Sequence, residues 1–295
     1  MIETFLKQHG DYSSEKSFRD LTTVRLGGPV RHLVYPYTRE DLKEIVSFLR
    51  YNRIPFKVIG NGSNLICGES AFNGVIIHLK HFNSYVIENE EVYAEAGVPA
   101  PYLAMTLAKA GLSGLEFASA IPGNIGGLVY MNAGAYRGEM SFILREVEVL
   151  RNGEFVFLTP EECRFSYRHS IFQEHPHWVV VSCRIALEKK DPEEILKLMA
   201  ERLERRKETQ PLDKPSAGSC FRNPEGNYAW KLIDGIGYRG KTSGGIRVSE
   251  KHPNFIVNDD HGRAEDYLAI AYDIIDKVRE QYGIDLIMEV EKFNC

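Results

Sequence analysis

The sequence predicts an α+β protein with mixed sheets, and three observations support this class. Amphipathic helical segments and short apolar, strand-like segments alternate along the whole chain. Asn152-Gly153 lies between two strand-like runs, which is a strong signal for an antiparallel hairpin. A highly charged helix predicted over 191–210 separates two sets of strands, so we expect a domain boundary near residue 190.

The elements of the first half follow from local patterns. A helix is predicted over 38–53, because Leu42, Ile45, Val46 and Leu49 share one helical face and Thr38 can serve as its N-cap. The remaining predictions are strands over 56–60, 74–79 and 92–98, a short helix over 100–111 and the hairpin over 143–159.

The second half shows the same alternation. The charged helix has Pro192 in its first turn, where a missing N–H costs nothing. Gly283 is placed to end a long amphipathic helix. The other predictions are a strand over 177–187, strands joined by a turn over 244–258, that helix over 263–283 and a closing strand over 284–293.

Composition excludes several classes of protein. A chain of 295 residues with 43% hydrophobic and 26% charged residues is typical of a soluble globular protein with two or three domains. The net charge of −5 argues against a nucleic-acid binder. Neither a membrane-spanning stretch nor a signal peptide is recognisable. The five cysteines are scattered and never spaced CxxC, so we expect reduced thiols, no metal site and a cytoplasmic location.

Two glycine-rich loops are the main functional signal. They are VIGNGSNLI over 58–66 and IPGNIGGLVYMNAGA over 121–135. Bare backbone allows N–H groups to approach a phosphate or a cofactor ring, although tight turns alone would explain one such loop equally well. The first loop lacks the third glycine of GxGxxG and no GxxxxGK[ST] occurs, which disfavours Rossmann and Walker sites. We expect both loops to hold a diphosphate, with Gly62 and Gly126 keeping the cofactor space clear of side chains.

These loops carry a family resemblance. IGNGSNLI resembles the GxGSNxL loop of the UDP-N-acetylenolpyruvoylglucosamine reductases, flavoenzymes of bacterial cell-wall synthesis, and IPGNIGGLVYMNAGAY resembles their second flavin loop. The motifs FSYRHSIF, AGSCFRNP, KLID and VSEKHPNFIVN follow in the family's order, within a match from TTVRLGG to MEVEKF. The chain resembles the shorter branch, which lacks a tyrosine-bearing insertion. Three positions depart from the family pattern, namely Asn124, Trp230 and Arg247.

The resemblance implies a two-lobed FAD-binding region of the vanillyl-alcohol-oxidase type and a C-terminal α+β substrate-binding domain. The lobes would be residues 1–80 and 81–190, and the domain 191–295, with its last strand returning to the active site. It also implies non-covalent FAD, NADPH as hydride donor and UDP-N-acetylglucosamine enolpyruvate as substrate. We expect a monomer, and the charge and hydropathy of the chain predict neither a nucleic-acid nor a membrane partner. The implied FAD contacts are Gly60, Asn61, Gly62, Ser63, Asn64, Leu65, Ile121, Pro122, Gly123, Asn124, Gly126, Gly127, Asn132, Ala133 and Gly134.

The chemistry of an enolpyruvyl ether sets the catalytic requirements. When hydride adds to the terminal carbon, negative charge moves onto the carboxylate, so the site needs fixed positive charge there and a proton source beside the other alkene carbon. Arg168 suits the first role, because a guanidinium grips a carboxylate through two donors. The alternative for Arg168 is a surface arginine at the end of a strand.

The proton donor is one of two neighbours in AGSCFRNP. Cys220 is the better acid by its usual pKa of ~8.5, and side-chain chemistry alone does not choose between it and Ser219. The resemblance places the role on Ser219, which leaves Cys220 to packing.

An acidic residue of the closing strand completes the implied catalytic set. Alignment from Leu286 without a gap places it at Glu289, while Glu291 is the competitor two residues later. Residues two apart face the same side of a strand, so alternation cannot separate them. The resemblance also implies a set of substrate contacts, which are Tyr136, Arg222, Asn223, Lys231 and His252.

Two other functions remain open. One is an oxidase on the same flavin fold, in which covalent attachment commonly uses His or Cys, and only Cys67 lies near a glycine loop. The other is a non-catalytic regulator that binds flavin or a sugar nucleotide. The presence of both Arg168 and Ser219 argues against the regulator.

Overall fold

The computed structural model describes residues 2–295, whose contacts divide the chain into two units made of interleaved segments. The first unit contains the residues up to Ser14, Arg31–Gly60 and Asn73–Leu203, and the second contains Glu15–Val30, Asn61–Phe72 and Glu204–Cys295. These units do not coincide with the three consecutive segments expected from the sequence. Instead of a boundary near residue 190, the charged helix itself is divided after Leu203. The units are defined by contacts alone. The assignment of two FAD-binding lobes and a substrate-binding domain to parts of the chain stays a prediction.

The elements follow one another in chain order, with two short 3-10 helices at Glu116–Ala118 and Ile171–Gln173. The α-helices are α1 (Ile2–His9), α2 (Phe18–Leu21), α3 (Arg39–Tyr51), α4 (Ala100–Lys109), α5 (Ile125–Tyr130), α6 (Met140–Ile143), α7 (Pro192–Thr209), α8 (Ala229–Gly235) and α9 (Ala264–Tyr282). The strands before α5 are β1 (Gly10–Ser13), β2 (Lys16–Ser17), β3 (Pro29–Pro36), β4 (Phe56–Ile59), β5 (Leu65–Cys67), β6 (Phe72–His78), β7 (Tyr85–Glu88), β8 (Glu91–Glu95) and β9 (Leu112–Ser113). The later strands are β10 (Gly134–Ala135), β11 (Gly138–Glu139), β12 (Leu144–Arg151), β13 (Glu154–Leu158), β14 (Val179–Ala186), β15 (Glu188–Lys189), β16 (Ser216–Ser219), β17 (Thr242–Ser243), β18 (Ile246–Val248), β19 (Phe255–Asn258) and β20 (Glu291–Phe293).

The first unit is built on two sheets. One has the order β1-β3-β6-β4 and includes a parallel β4–β6 pair, and the other is the antiparallel sheet β13-β12-β14-β8-β7. The hairpin between β12 and β13 turns at Asn152 and Gly153 with φ of 54° and 86°, the left-handed pair that a type I′ turn requires. Helix α3 begins as predicted, because the Thr38 hydroxyl accepts from the Asp41 N–H at 3.1 Å.

The second unit is built on the antiparallel sheet β16-β19-β18-β17. Helix α9 buries Tyr267, Ile270 and Ile274 in the same apolar cluster as strand residues such as Val248. It ends at Gly283, whose φ of 67° gives the left-handed cap that the sequence predicts. Both parallel and antiparallel pairs occur among the described residues, so the prediction of mixed sheets is confirmed.

The closing strand is shorter than predicted. Only β20 is a strand, and it pairs in parallel with β5, placing Glu291 opposite Leu65. Met288 forms a separate bridge to Phe221, and the chain bends at Val290 between these two partners. A run that changes partners cannot remain one straight strand, which is why ten consecutive strand-like residues form only three residues of strand. No helix in residues 2–295 combines the length and apolarity needed to cross a membrane.

Candidate active site

The first glycine loop joins β4 to β5, and its central glycine serves the fold of the second unit. Gly62 has φ of +59°, and a Cβ added there would lie 2.1 Å from the Leu21 carbonyl oxygen. The Gly62 carbonyl also accepts from the Thr23 N–H at 3.4 Å. The expectation that Gly62 keeps cofactor space clear is therefore wrong, because a side chain would first collide with protein backbone.

Asn64 links this loop to the last part of the chain. Its Nδ2 donates to the Glu289 carbonyl at 3.1 Å, and its own carbonyl accepts from the Glu291 N–H at 2.9 Å. Leu65, expected to contact FAD, begins β5 and is 7% exposed. The loop thus holds the segment that carries the predicted acidic residue, a connection that the sequence did not reveal.

The second glycine loop leads into helix α5, and much of its backbone is already bonded. The Ile125 and Gly126 N–H groups donate to the carbonyls of Val98 and Ala96, each at 2.9 Å. A Cβ on Gly126 would lie 2.7 Å from the Ala96 Cβ, so this glycine too is required by packing rather than by cofactor space. Asn124 donates to the Gly97 carbonyl at 2.7 Å, which gives this departure from the family pattern a structural role.

Gly127 is the glycine of this loop whose bare face is open. It is exposed, and no heavy atom lies within 4 Å of the position that its Cβ would take. Backbone of this kind can touch a flat ligand directly, as the resemblance implies for a flavin. Gly127 therefore fits the implied cofactor better than Gly62 or Gly126.

Replacing Gly127 by leucine should lower FAD affinity at least about tenfold with little change in the unfolding free energy of the apoprotein. A helix tolerates leucine better than glycine by roughly 1 kcal/mol, so loss of binding would come from the new side chain rather than from α5. Gly126→Leu is the matched control and should destabilise the apoprotein, because its Cβ has no room beside Ala96. Flavin titration and urea unfolding measure the two effects. Normal FAD affinity in Gly127→Leu would place the flavin elsewhere.

Arg168 lies beside the second glycine loop, in the first unit. Its Nη2 donates to the Gly134 carbonyl at 2.6 Å, and its own carbonyl accepts from Gln173 Nε2 at 3.1 Å. Its φ of 57° is a left-handed conformation that costs energy for a residue with a Cβ. A half-buried arginine held in this way favours a functional position over the surface alternative.

Ser219 lies at the end of β16 in the second unit, paired with Phe255. It is half-buried, and the preceding Gly218 has φ of +79° with no heavy atom within 4 Å of the position that a Cβ would take, so the chain presents bare backbone next to the hydroxyl. Cys220 is fully buried, and burial raises the pKa of its thiol to about 12. A fully buried thiol cannot reach a substrate, and this inaccessibility favours Ser219 as the proton donor.

Glu289 lies next to the end of β16, the strand that ends at Ser219 and is called the serine strand below. Its N–H donates to the Cys220 carbonyl at 2.8 Å, and the Arg222 N–H donates to the Ile287 carbonyl at 2.9 Å. The charge of Glu289 also contributes to the raised pKa of Cys220, after burial. The second unit therefore brings Ser219 and Glu289 into neighbouring backbone segments, while Arg168 belongs to the first unit. Because the strand begins only at Glu291, the same-face argument for the two acids does not apply.

The substrate candidates of the second unit differ in their surroundings. Asn223 Oδ1 accepts from the Ala229 N–H at 3.0 Å, so this side chain caps helix α8. Lys231 is exposed, with Nζ 5.2 Å from the centre of the Tyr228 ring. His252 Nδ1 is buried without a hydrogen-bond partner among residues 2–295, and burial, then the charge of Arg239, lowers the pKa of the imidazole. A buried nitrogen of this kind is a feature that a ligand could satisfy.

The remaining substrate candidate, Tyr136, and two positions that depart from the family pattern, Arg247 and Trp230, each contact other side chains or backbone. Tyr136 donates through its hydroxyl to the Arg202 carbonyl at 3.0 Å, and the Arg202 guanidinium lies 4.9 Å from its ring centre, so it packs on α7. Arg247 forms a 2.8 Å ion pair with Asp259. Trp230 lies in α8, its ring centre 5.6 Å from Lys231 Nζ.

Comparisons with known proteins agree on one family. Residues 210–293 match the model of the UDP-N-acetylenolpyruvoylglucosamine reductase C-terminal domain, and residues 30–158 match that of an FAD binding domain. The chain is 41% identical over 291 residues to the UDP-N-acetylenolpyruvoylglucosamine reductase of Caldanaerobacter subterraneus, covering 98% of this chain and 96% of that protein. The crystal structure of the same enzyme from Thermus caldophilus superposes with a TM-score of 0.82 at 37% identity, covering 96% of this chain and 98% of that one.

A more distant structure indicates the fold alone. The BBE-like 1 protein of Physcomitrella patens superposes with a TM-score of 0.50 at 14% identity, over 64% of this chain and 44% of that one. Together with the two domain matches, it confirms the predicted α+β class, with an FAD-binding region of the vanillyl-alcohol-oxidase type followed by a distinct C-terminal domain.

Proposed function

The chain belongs to the UDP-N-acetylenolpyruvoylglucosamine reductase family, and from this premise we propose which of its residues carry out the reaction. It is an FAD-dependent oxidoreductase that uses NADPH to reduce the enolpyruvyl ether of UDP-N-acetylglucosamine to UDP-N-acetylmuramate, a peptidoglycan precursor. The observation that carries the residue assignment is the 2.8 Å bond from the Glu289 N–H to the Cys220 carbonyl, which joins the Glu289 segment to the serine strand.

Arg168 is assigned to the substrate carboxylate. With FAD held at the open face of Gly127, the terminal carbon of the alkene would receive the hydride that NADPH provides through the flavin. Negative charge then develops on the carboxylate, and a guanidinium that is already held in place stabilises it without reorganising. The bond to Gly134 and the support of its carbonyl by Gln173 provide that preorganisation.

Ser219 is assigned to protonation of the other alkene carbon. A hydroxyl is a weak acid, but the carbon of an enolate is a strong base, so transfer is efficient when the two are held close together. The neighbouring Gly218 leaves room for a substrate to approach this hydroxyl. Glu289 is assigned to the same step, either relaying a proton or polarising the substrate carboxylate.

The UDP portion requires groups that recognise a diphosphate and a uridine. Lys231 is an exposed cation that can attract the diphosphate, and His252 offers its unsatisfied ring nitrogen. Asn223 can contribute its amide donors, because its oxygen is already used by helix α8. Arg222 and Tyr136 are the other proposed contacts. The proposal also includes a monomeric protein in the cytoplasm, with no nucleic-acid or membrane partner.

Half-reactions of the FAD-loaded protein test the function. NADPH should bleach the flavin in the absence of oxygen, and the enolpyruvyl sugar nucleotide should then restore its colour much faster than air does. Faster reoxidation by oxygen than by this substrate would indicate an oxidase. A flavin that NADPH does not reduce would indicate a binding protein without turnover.

A further inference from the structure

The strongest unexplained feature near the serine strand is a buried asparagine. Asn254 is 4% exposed and immediately precedes β19. Its Oδ1 accepts from the Phe221 N–H at 3.0 Å, and its Nδ2 donates to the Phe221 carbonyl at 2.9 Å. Its own carbonyl accepts from the Cys220 N–H at 2.7 Å. One residue therefore makes three hydrogen bonds to the two residues that follow Ser219.

These bonds fix the chain where the β16–β19 ladder ends. Ser219 is the last residue of β16 and is paired with Phe255, so beyond it the ladder itself gives no support. On the opposite side, the Cys220 carbonyl accepts from the Glu289 N–H. Phe221 is 1% exposed, so its N–H and carbonyl would have no water to replace the lost amide. Without the Asn254 side chain, the Phe221 groups would lose these partners, and a shift of the segment would be the way to find new ones.

We propose that Asn254 is a positioning residue for proton transfer, which holds the Ser219 hydroxyl at the distance that the reaction needs. The inference rests on the proposed role of Ser219. Asn254 acts through the backbone of Cys220 and Phe221 and makes no contact that the chemistry itself requires. A displacement of about 1 Å can cost on the order of 10²-fold in rate, so holding the Ser219 hydroxyl in one position directly increases the rate of proton transfer.

The chain offers a matched control in Asn258, at the end of β19. Asn258 is also buried, and its side chain makes three hydrogen bonds to backbone, whereas the side chain of Asn254 makes two. Those bonds go to Val24, Arg25 and Gly262 rather than to the serine strand. Loss of either amide should destabilise the fold, but only loss of Asn254 should affect protonation.

The experiment compares Asn254→Ala and Asn258→Ala as FAD-loaded proteins. Thermal unfolding and bound flavin show that both are folded, and both should be reduced by NADPH at nearly the normal rate. We expect flavin reoxidation by the enolpyruvyl substrate to be roughly 10–100-fold slower in Asn254→Ala and little changed in Asn258→Ala. If Asn254→Ala does not fold, Asn254→Asp retains an acceptor for the Phe221 N–H and should show a smaller slowing of the same step.

A double-mutant cycle with Ser219→Ala separates positioning from general damage. If Asn254 acts through Ser219, the Asn254 substitution should slow reoxidation no further once the hydroxyl has been removed. Full additivity, or equal slowing in Asn254→Ala and Asn258→Ala, would overturn the inference. Fast reoxidation in Ser219→Ala alone would instead refute the proposed role of the serine, so the two failures can be told apart.

Discussion

Replacing Ser219 by alanine is expected to slow flavin reoxidation by the enolpyruvyl substrate by roughly 10²–10⁴-fold, the usual contribution of general acid catalysis. Ser219 is half-buried next to the bare backbone of Gly218, and alanine removes the hydroxyl proton without adding bulk. Reduction by NADPH involves no proton transfer to the alkene, so it should remain near normal. Single-turnover mixing of pre-reduced protein with substrate measures the effect.

Cys220→Ala is the control for this prediction. The thiol is fully buried and cannot reach a substrate, so its loss should reduce stability and leave reoxidation nearly unchanged. The reverse result, with slow reoxidation in Cys220→Ala and normal reoxidation in Ser219→Ala, would move the donor by one residue.

Replacing Glu289 by glutamine is expected to slow the same step on the order of 10²-fold or more, because the amide can neither give up nor take up a proton. The Glu289 backbone is held from two sides, by the Cys220 carbonyl and by Asn64 Nδ2. These bonds hold the main chain from which the carboxylate extends, so the substitution should change the chemistry of the side chain and leave its backbone in place. The measurement is again the single-turnover rate of reoxidation, together with the rate of reduction by NADPH.

Glu291→Gln is the matched control, since it makes the same chemical change two residues away. Glu291 belongs to β20, where it is paired with Leu65, whereas Glu289 precedes this strand and its N–H donates to the Cys220 carbonyl. The two side chains therefore extend from differently bonded backbone. We expect its substitution to change reoxidation very little. Equal effects of the two substitutions, or a larger effect of Glu291→Gln, would show that the acidic residue has been assigned to the wrong position.

Much of the fold could be predicted from local sequence. Thr38 caps α3, Gly283 ends α9 in the left-handed conformation, and Asn152-Gly153 forms the hairpin turn. Each of these signals acts within about one turn of chain, so the neighbouring residues are enough to read it. The family motifs identified Arg168, Ser219 and Glu289 as candidates, although the chemistry of the side chains alone left Ser219 and Cys220 undecided.

The tertiary structure was needed wherever the deciding contact lies far away in sequence. Burial decides between Cys220 and Ser219 as proton donor, because Cys220 is enclosed in an apolar cluster to which distant elements such as α9 contribute. Gly62 and Gly126 look like cofactor glycines in the sequence, yet a side chain at either position would collide with Leu21 or Ala96. No heavy atom lies within 4 Å of the position that a Cβ of Gly127 would take.

By itself, the sequence determined many of the elements, the α+β class with mixed sheets and the motifs that identify the family. Only the tertiary structure decided that the chain folds as two interleaved units and that the closing strand breaks at Val290. It also decided that Asn64 and Asn254 support the segments carrying Glu289 and Ser219. These outcomes depend on which groups, distant from one another in sequence, satisfy each other's hydrogen bonds, and such a pairing leaves no periodic signal in either segment.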